Sequence, residues 1–278
     1  MPIYDPPIRC RLLIDPASGG AWQMAVDEAL LETAAAGGGP TLRFYQWSEP
    51  TLSLGYFQQV ADRSSHRATR DCPLVRRQSG GGAILHDVEL TYSLAVADDR
   101  HGLSDATRLY DVVHTSLVDV LAGLGVDARL NGCLPERPDD QTTLTRDGAI
   151  SPICNNSRER TRTEQRDPFL CFQRRARADV LVGEAKVCGS AQRRHGKAVL
   201  QHGSLLLAAS ELTPELPGLK ELTGKGWNLA FLRDSWTREL ATRLGLKLVE
   251  AGLSAAELDR ARTLAVEKYD AGRWNRRR

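Results

Sequence analysis

The sequence lacks the features that mark several classes of protein. No apolar run in its 278 residues approaches the roughly 18 residues needed to span a bilayer. Its 37 basic and 35 acidic side chains leave a net charge of +2, which argues against a nucleic-acid or membrane-surface protein. Residues 1–14 carry an acid and three prolines and no apolar region behind a basic start, so we expect no signal peptide. We therefore predict a cytoplasmic globular protein that binds neither nucleic acid nor membrane.

Cysteine-based and nucleotide-binding motifs are also missing. Six cysteines are dispersed without any C-x-x-C pair, so no metal site is predicted. Without a secretion signal these thiols are expected to be reduced, and one of them is free to act as a nucleophile. The glycines at 80–82 do not form a dinucleotide fingerprint, and the run 189–197 has the wrong spacing for a phosphate-binding loop.

The order of predicted elements defines the fold class. Helical spacing of apolar residues at 21–36 and 105–122 alternates with groups of short β-like runs, and the last fifty residues are predicted to be helical. Strict βαβ alternation is absent, which favours an α/β (α+β) fold with a mixed, largely antiparallel sheet flanked by helices. Runs 41–47 and 51–57, joined by a short turn, are predicted to be neighbouring strands.

A first candidate site is the glycine-rich segment 75–87. Three consecutive glycines let backbone amides approach a ligand closely. Arg76 and Arg77 point to opposite faces of a regular strand, so at most one of them faces a given pocket. The alternative is a glycine-rich hairpin turn with solvated arginines, and a single histidine such as His86 is more often structural than catalytic.

A second candidate is the strand-like run 183–194. Regular alternation places Lys186, Cys188, Ser190 and Gln192 on one face, with Gly189 on the other. A lysine flanked by apolar residues is suited to bind an anion or a carbonyl oxygen, although an exposed hairpin lysine has the same spacing.

The third candidate is Cys171, which lies between apolar side chains where the chain returns from a polar segment. A buried cysteine is normally an inert hydrophobic residue. A neighbouring cation such as Lys186 would instead stabilise its thiolate and make it a nucleophile.

Taken together, these stretches resemble the biotin/lipoate protein ligase superfamily, and within it the lipoate–protein ligase A and octanoyltransferase branch. Order and spacing both agree over most of the chain. The matching runs are 24–27, 42–47, 53–58, 76–87, 89–93, 186–192 and 201–205.

The resemblance implies a fold like the class II synthetase catalytic core and assigns roles to particular residues. It makes Cys171 and Lys186 catalytic, and its transferase branch requires no metal. It implies that the substrate-binding residues are Arg76, Gly80, Gly81, Gly82, His86, Gly189 and Ser190. Because the motifs run in one order, it also implies a single catalytic domain at 1–220, interrupted by a polar, mobile insert at 135–167, with a helical appendage at 221–278 packed on it.

The family divides by chemistry, and Cys171 separates the branches. The pair Cys171-Phe172, fifteen residues before Lys186, resembles the Cys-Phe pair of the cysteine-dependent octanoyltransferases. These enzymes move octanoate from acyl carrier protein, through a cysteine thioester, to a lysine of a lipoyl domain, without a cofactor. The acceptors are the glycine cleavage H protein and the acyltransferase subunits of 2-oxoacid dehydrogenases. This interpretation requires the sulfur of Cys171 to lie within a few ångströms of Lys186.

Three alternatives stay open. Gly82 is typical of the ATP-dependent lipoate ligases, which use ATP and Mg²⁺, because octanoyltransferases often carry a basic residue at this position. A lipoyl or octanoyl amidotransferase acting between lipoyl domains would also use a cysteine. From a different class, the basic tail at 273–278 is compatible with a non-catalytic acyl- or RNA-binding module.

Overall fold

The structure is a computed structural model that describes residues 7–97, 103–132 and 168–277. The insert predicted at 135–167 lies outside the described residues. None of the helices in the described ranges is long and apolar enough to cross a membrane.

The described residues form eleven strands and six α-helices. The strands are β1 Ile8–Ile14, β2 Thr41–Tyr45, β3 Thr51–Leu54, β4 Leu74–Arg76, β5 Ile84–His86, β6 Glu89–Val96, β7 Ala128–Leu130, β8 Val180–Val182, β9 Ala185–His195, β10 Ala198–Leu206 and β11 Leu246–Glu250. The helices are α1 Gly20–Ala35, α2 Ala106–Gly123, α3 Leu219–Thr223, α4 Leu229–Leu244, α5 Ala255–Leu264 and α6 Gly272–Asn275. A π-helical turn at Ala265–Tyr269 follows α5.

Eight strands form the main sheet, in the order β11-β1-β2-β6-β10-β9-β8-β7. Strand β1 pairs in parallel with β2 and β11, and every other neighbouring pair in this sheet is antiparallel. The predicted fold class, a mixed and largely antiparallel sheet flanked by helices, is confirmed.

A second, three-stranded sheet in the order β4-β3-β5 lies beside the first. The prediction that 41–47 and 51–57 are neighbouring strands is wrong, because both edges of β2 are occupied by β1 and β6. The chain therefore leaves the main sheet at the turn after Trp47, and β3 becomes the centre of the small sheet.

The C-terminal region contains a strand that the sequence did not predict. Helix α4 ends at Gly245, which adopts a left-handed conformation with φ of 62°. The five residues of β11 then pair in parallel with β1. The last fifty residues are therefore not purely helical, since they supply one edge of the main sheet.

Two apolar layers cover the main sheet. Alternate residues of each strand face opposite layers, as Leu94 and Ala95 of β6 do, following the two-residue period of a strand. Leu94 packs under α2 and α4, whereas Ala95 packs under α1 and α5. Each large apolar side chain buried in this way contributes about 1.5–3 kcal/mol. Helix α1 begins against the small sheet, where a Cβ on Gly20 would lie 2.9 Å from the side chains of Thr51 and Val75.

Candidate active site

A cavity opens between the main sheet and the small sheet. Most of the exposed lining is apolar. The wall residues are Met24, Tyr45, Arg77, Gly80, Gly81, Ile84, His86, Thr91, Cys171, Phe172, Gly189, Ser190, Ala191, His202, Gly203 and Ser204.

Cys171 is held at this cavity by backbone contacts with the glycine-rich segment. It begins a short 3-10 turn, Cys171–Gln173, and its N–H donates to the carbonyl of Ala83 at 2.7 Å. The N–H of Ala83 donates in turn to the carbonyl of Phe169 at 3.0 Å. A Cβ on Gly82 would lie 3.0 Å from the Cα and N atoms of Cys171, so a glycine permits this close approach. Cys171 is half-buried, with its side chain on the cavity.

Lys186 reaches Cys171 from β9. Its Nζ atom donates to the Sγ atom of Cys171 at 3.7 Å and lies 2.9 Å from a carboxylate oxygen of Asp179. The Lys186 side chain is only 4% exposed. Burial by itself lowers the pKa of Lys186, but the charges of Cys171 and Asp179 outweigh it and raise that pKa above its usual value. The predicted proximity of Cys171 and Lys186 is confirmed.

A β-bulge directs Lys186 toward Cys171. Val180 pairs with Cys188 whereas Leu181 pairs with Lys186, so β9 contains one extra residue at this point. Cys188 consequently lies in the hydrophobic core, and Lys186 instead meets Gly189, where a Cβ would lie 2.4 Å from its Cε atom. The prediction that Lys186 and Cys188 share a face, opposite Gly189, is wrong because regular alternation does not cross the bulge.

Of the two consecutive arginines, Arg77 is the one that lines the cavity. Its guanidinium donates to the carbonyls of Ser53 at 3.0 Å, Gly80 at 2.9 Å and Gly82 at 2.6 Å. Burial lowers the pKa of Arg77 to about 10. The charge on Cys171 acts in the opposite direction and raises it.

Arg76 points away from the cavity, and the prediction that it binds substrate is not supported. Its guanidinium is fully buried and donates to the carbonyls of Gly55 at 2.9 Å, Gln58 at 2.8 Å and Asn275 at 3.0 Å. These contacts fix the C-terminal segment to β4, so the side chain has a structural position.

The remaining predicted binding residues lie at or near the cavity. Gly80 and Gly81 line it, and Gly81 has a φ of 93° that favours glycine. Gly189 and Ser190 line the opposite wall. Gly82 lies behind Cys171 rather than in the lining. Their roles toward substrate stay predictions.

His86 lines the buried end of the cavity and has partners on both ring nitrogens. Nε2 lies 2.8 Å from the hydroxyl of Ser53, and Nδ1 lies 2.5 Å from a carboxylate oxygen of Glu89. The ring stacks on Trp47 with centroids 3.9 Å apart. Burial lowers the pKa of His86 and so favours a neutral ring. Glu89 acts in the opposite direction but does not outweigh burial.

Asp179 and the pair Asp27–His202 were not identified as site residues from the sequence. His202 lines the cavity, with Nδ1 3.1 Å from Asp27 and Nε2 2.5 Å from the hydroxyl of Ser79. The arrangement has the order of a Ser-His-Asp triad, but Ser79 is buried outside the lining and presents no nucleophile to the cavity. Asp27 and His202 both lie in runs that resemble the family, at 24–27 and 201–205. This resemblance was the available sequence signal, but it assigned neither residue a role.

Comparisons with known proteins find relatives over most of the chain. A model of the lipoyl protein ligase A/B catalytic domain matches residues 20–214. Octanoyltransferase LipM of Kyrpidia tusciae is 32% identical over 296 residues, covering 96% of this chain and 98% of that protein.

Two solved structures are similar in fold. Ta0514, a putative lipoate protein ligase from T. acidophilum, has a TM-score of 0.70 at 23% identity and covers 98% of this chain and 100% of its own. A bi-partite lipoate protein ligase, described with its E2 lipoyl domain from Thermoplasma acidophilum, has a TM-score of 0.70 at 21% identity, covering 97% and 96%. At these identities the likeness shows the fold alone. From the catalytic-domain match and the LipM relative, the chain belongs to the lipoyl protein ligase A/B catalytic domain family.

Proposed function

We propose that this chain is an octanoyltransferase that carries octanoate through a thioester on Cys171 to a lysine of a lipoyl domain. The observation that carries the proposal is the 3.7 Å contact between Lys186 Nζ and Cys171 Sγ at the cavity. The match with Octanoyltransferase LipM over nearly the whole of both chains supports the same acyltransferase chemistry.

The first step transfers the acyl group to the enzyme. The Cys171 thiolate attacks the carbonyl carbon of an octanoyl thioester, and a new carbon–sulfur bond forms. The Lys186 ammonium, buried beside the sulfur, stabilises the developing oxyanion. The intermediate collapses with loss of the donor thiolate, which takes a proton from solvent and leaves as a thiol. The donor we propose is octanoyl-acyl carrier protein.

The second step transfers the acyl group to the acceptor. The ε-amine of a lipoyl-domain lysine attacks the thioester on Cys171, a carbon–nitrogen bond forms, and the Cys171 thiolate leaves. The proton that the amine releases passes to solvent, and Lys186 keeps its ammonium form. Because the donor is already an activated thioester, the cycle needs neither ATP nor a metal ion. A lipoyl domain also accompanies the bi-partite ligase of similar fold, which supports such a domain as the acceptor.

The cavity is suited to a short acyl chain. Its exposed lining is mostly apolar, and each methylene group buried there contributes about 0.8 kcal/mol to binding. Cys171, Gly80 and Gly81 lie at its more accessible side, whereas Met24, Tyr45 and Thr91 form buried parts of its wall. An acyl chain attached at Cys171 would therefore extend inward toward these residues.

The proposal is tested by incubating the purified chain with octanoyl-acyl carrier protein and an apo lipoyl domain without ATP, and weighing the lipoyl domain by mass spectrometry. We expect octanoylation, and an octanoyl adduct on the enzyme when the acceptor is omitted. Cys171→Ala should abolish both. Cys72→Ala is a matched control, since Cys72 is also half-buried but lies outside the cavity lining.

The same assay separates the alternatives. Transfer that appears only with ATP and free lipoate or octanoate would establish the ligase reaction. Transfer from an octanoylated lipoyl domain but not from the carrier protein would establish the amidotransferase reaction. Octanoylation that survives Cys171→Ala would contradict the thioester mechanism.

A further inference from the structure

Asp179 is a buried acid that pairs with Lys186, the residue that contacts Cys171. Its side chain is 1% exposed, and its Oδ2 atom lies 2.9 Å from Lys186 Nζ. The same oxygen accepts the N–H of Ala176 at 2.7 Å, and Oδ1 accepts the hydroxyl of Tyr110 at 3.0 Å. A buried carboxylate is costly unless each oxygen is paired in this way. Neither Asp179 nor Lys186 is among the residues that line the cavity, but Lys186 contacts Cys171, which does, so an effect of Asp179 on the reaction passes through Lys186.

The backbone that presents Asp179 is strained. Ala178, immediately before it, has a φ of 62° and is the only non-glycine residue among those described with a positive φ. This conformation costs an alanine about 1–2 kcal/mol. Contacts on both sides hold it: the N–H of Ala178 donates to the carbonyl of Asn131, and the N–H of Asn131 donates to the carbonyl of Asp179, each at 2.8 Å. Strain of this kind persists only where the surroundings fix it.

A chain of hydrogen bonds ties Ala178 to the cavity wall. Burial lowers the pKa of His114 to about 4, so its ring is neutral near pH 7. With Nδ1 donating to the carbonyl of Ala178 at 2.6 Å, Nε2 accepts the hydroxyl of Ser190 at 2.6 Å. Ser190 in turn accepts the hydroxyl of Tyr92 at 2.6 Å. The donors and acceptors therefore run in one direction from the wall to the strained residue.

Gly189 provides the space through which Lys186 reaches its two partners. A Cβ on Gly189 would lie 2.6 Å from Lys186 Nζ and 3.2 Å from Asp179 Oδ1. The ammonium is therefore confined between the carboxylate of Asp179 and the sulfur of Cys171. We propose that Asp179 is the positioning residue of the acyl transfer, which aims the Lys186 ammonium at the reacting carbonyl and keeps it protonated when the thiolate is consumed.

This inference rests on the proposed function, and it concerns the stage of the cycle at which Cys171 carries the acyl group. When Cys171 becomes acylated it loses its charge, and Lys186 loses one of the two groups that favour its proton. The groups that act on Lys186 from the packed elements are Cys171, Asp179, Cys188 and His114. Of these, Asp179 is the carboxylate that the acyl group does not alter. Without it, burial alone would act on the ammonium and favour loss of the proton.

The test is Asp179→Asn, with kcat and KM for the octanoyl donor measured across pH. We expect kcat near pH 7 to fall roughly tenfold or more with KM changed less than about threefold, because the residue does not line the cavity. We also expect the alkaline limb of the kcat profile to move to lower pH by about one unit or more. Asp179→Glu keeps the carboxylate charge but moves it by one methylene group. The alkaline limb of the kcat profile should therefore lie near its wild-type position, while kcat stays reduced.

Glu257→Gln is the matched control. Glu257 is likewise buried and ion-paired, to Arg11 at 2.5 Å, but it lies outside the cavity lining. It should lower the melting temperature without moving the alkaline limb. If Asp179→Asn behaves as this control does, the role of Asp179 is structural and the proposal is overturned.

Two further outcomes are decisive. If Asp179→Asn does not fold, Asp179→Glu decides alone: wild-type kcat overturns the proposal, and a kcat reduced roughly tenfold at an unchanged alkaline limb supports it. Activity that survives Cys171→Ala would instead overturn the proposed function and this inference together. Loss of activity in Cys171→Ala with a wild-type profile in Asp179→Asn removes only the inference.

Discussion

On the wall provided by the main sheet, Lys186 is paired with the carboxylate of Asp179, whereas on the glycine-rich wall Arg77 is bonded to uncharged oxygens. Both side chains are buried, and among the described residues the Nε atom of Arg77 has no hydrogen-bond partner. The charge that raises the pKa of Arg77 is that of Cys171.

The difference shows how the site balances its charges. Lys186 is paired with Asp179, whereas the charge that raises the pKa of Arg77 is that of Cys171, which also acts on Lys186. The main sheet therefore supplies a directed hydrogen-bond donor, and the glycine-rich wall supplies a fixed positive charge.

The largest effect is expected from removing the two cations separately. Lys186→Met leaves Asp179 buried without its partner, which should cost about 3–5 kcal/mol and abolish transfer. Arg77→Met leaves only carbonyl and hydroxyl oxygens without donors, which should cost about 1–3 kcal/mol. Urea denaturation and the octanoyl-transfer assay measure both. An equal loss of stability in the two variants would contradict the comparison.

A smaller effect on stability, with a large effect on activity, is expected from Gly189→Ala. The new methyl group would overlap Lys186 Cε, so the ammonium must leave its position between Asp179 and Cys171. We expect kcat to fall roughly a hundredfold with about 1–3 kcal/mol lost in stability. Gly252→Ala is the control, because nothing lies within 4 Å of its Cβ position. Unchanged kcat in Gly189→Ala would show that Lys186 does not need the space beside Gly189.

The smallest effect is expected from the ion pair of Arg11 and Glu257, which lies away from both walls of the cavity. Burial raises the pKa of Glu257, but hydrogen bonds from Arg11 and Ser254 outweigh it and lower it to about 2. Because the folded pKa lies below the unfolded one, this stabilisation is complete above the ordinary glutamate pKa and is lost as pH falls toward 2.

We expect about 1–2 kcal/mol from this pair after solvent screening. Urea midpoints of the wild type should fall between pH 4.5 and pH 2, and Glu257→Gln should flatten that part of the profile. A profile that stays equally steep in the variant would place the acid sensitivity elsewhere, for instance at the active-site pair.

The sequence predicted the fold class from the order of its elements, whereas the meeting of Cys171 with Lys186 followed from the resemblance to the ligase superfamily. The choice of Arg76 over Arg77 was wrong, since alternation predicts opposite faces but not which face borders the cavity. The bulge in β9 could not be predicted either. One extra residue leaves the composition unchanged, and the run is too short for its periodicity to show the insertion.

Long-range pairing explains the other differences. Strand β11 has five residues between helical segments, and its partner β1 lies at the opposite end of the described chain. Asp179 was not identified as a site residue, and it directly follows Ala178, which adopts a left-handed conformation. An alanine at that position gives no sequence signal for a positive φ.

The position of β1 between β2 and β11 has a kinetic consequence. The site strands β9 and β10 form a hairpin whose paired residues are close in sequence, whereas β1 pairs with residues more than two hundred positions away. Contacts between distant residues form slowly because a long loop must be closed first. During refolding, amide hydrogens of the β9–β10 hairpin should therefore become protected from exchange with solvent before those that join β1 to β11.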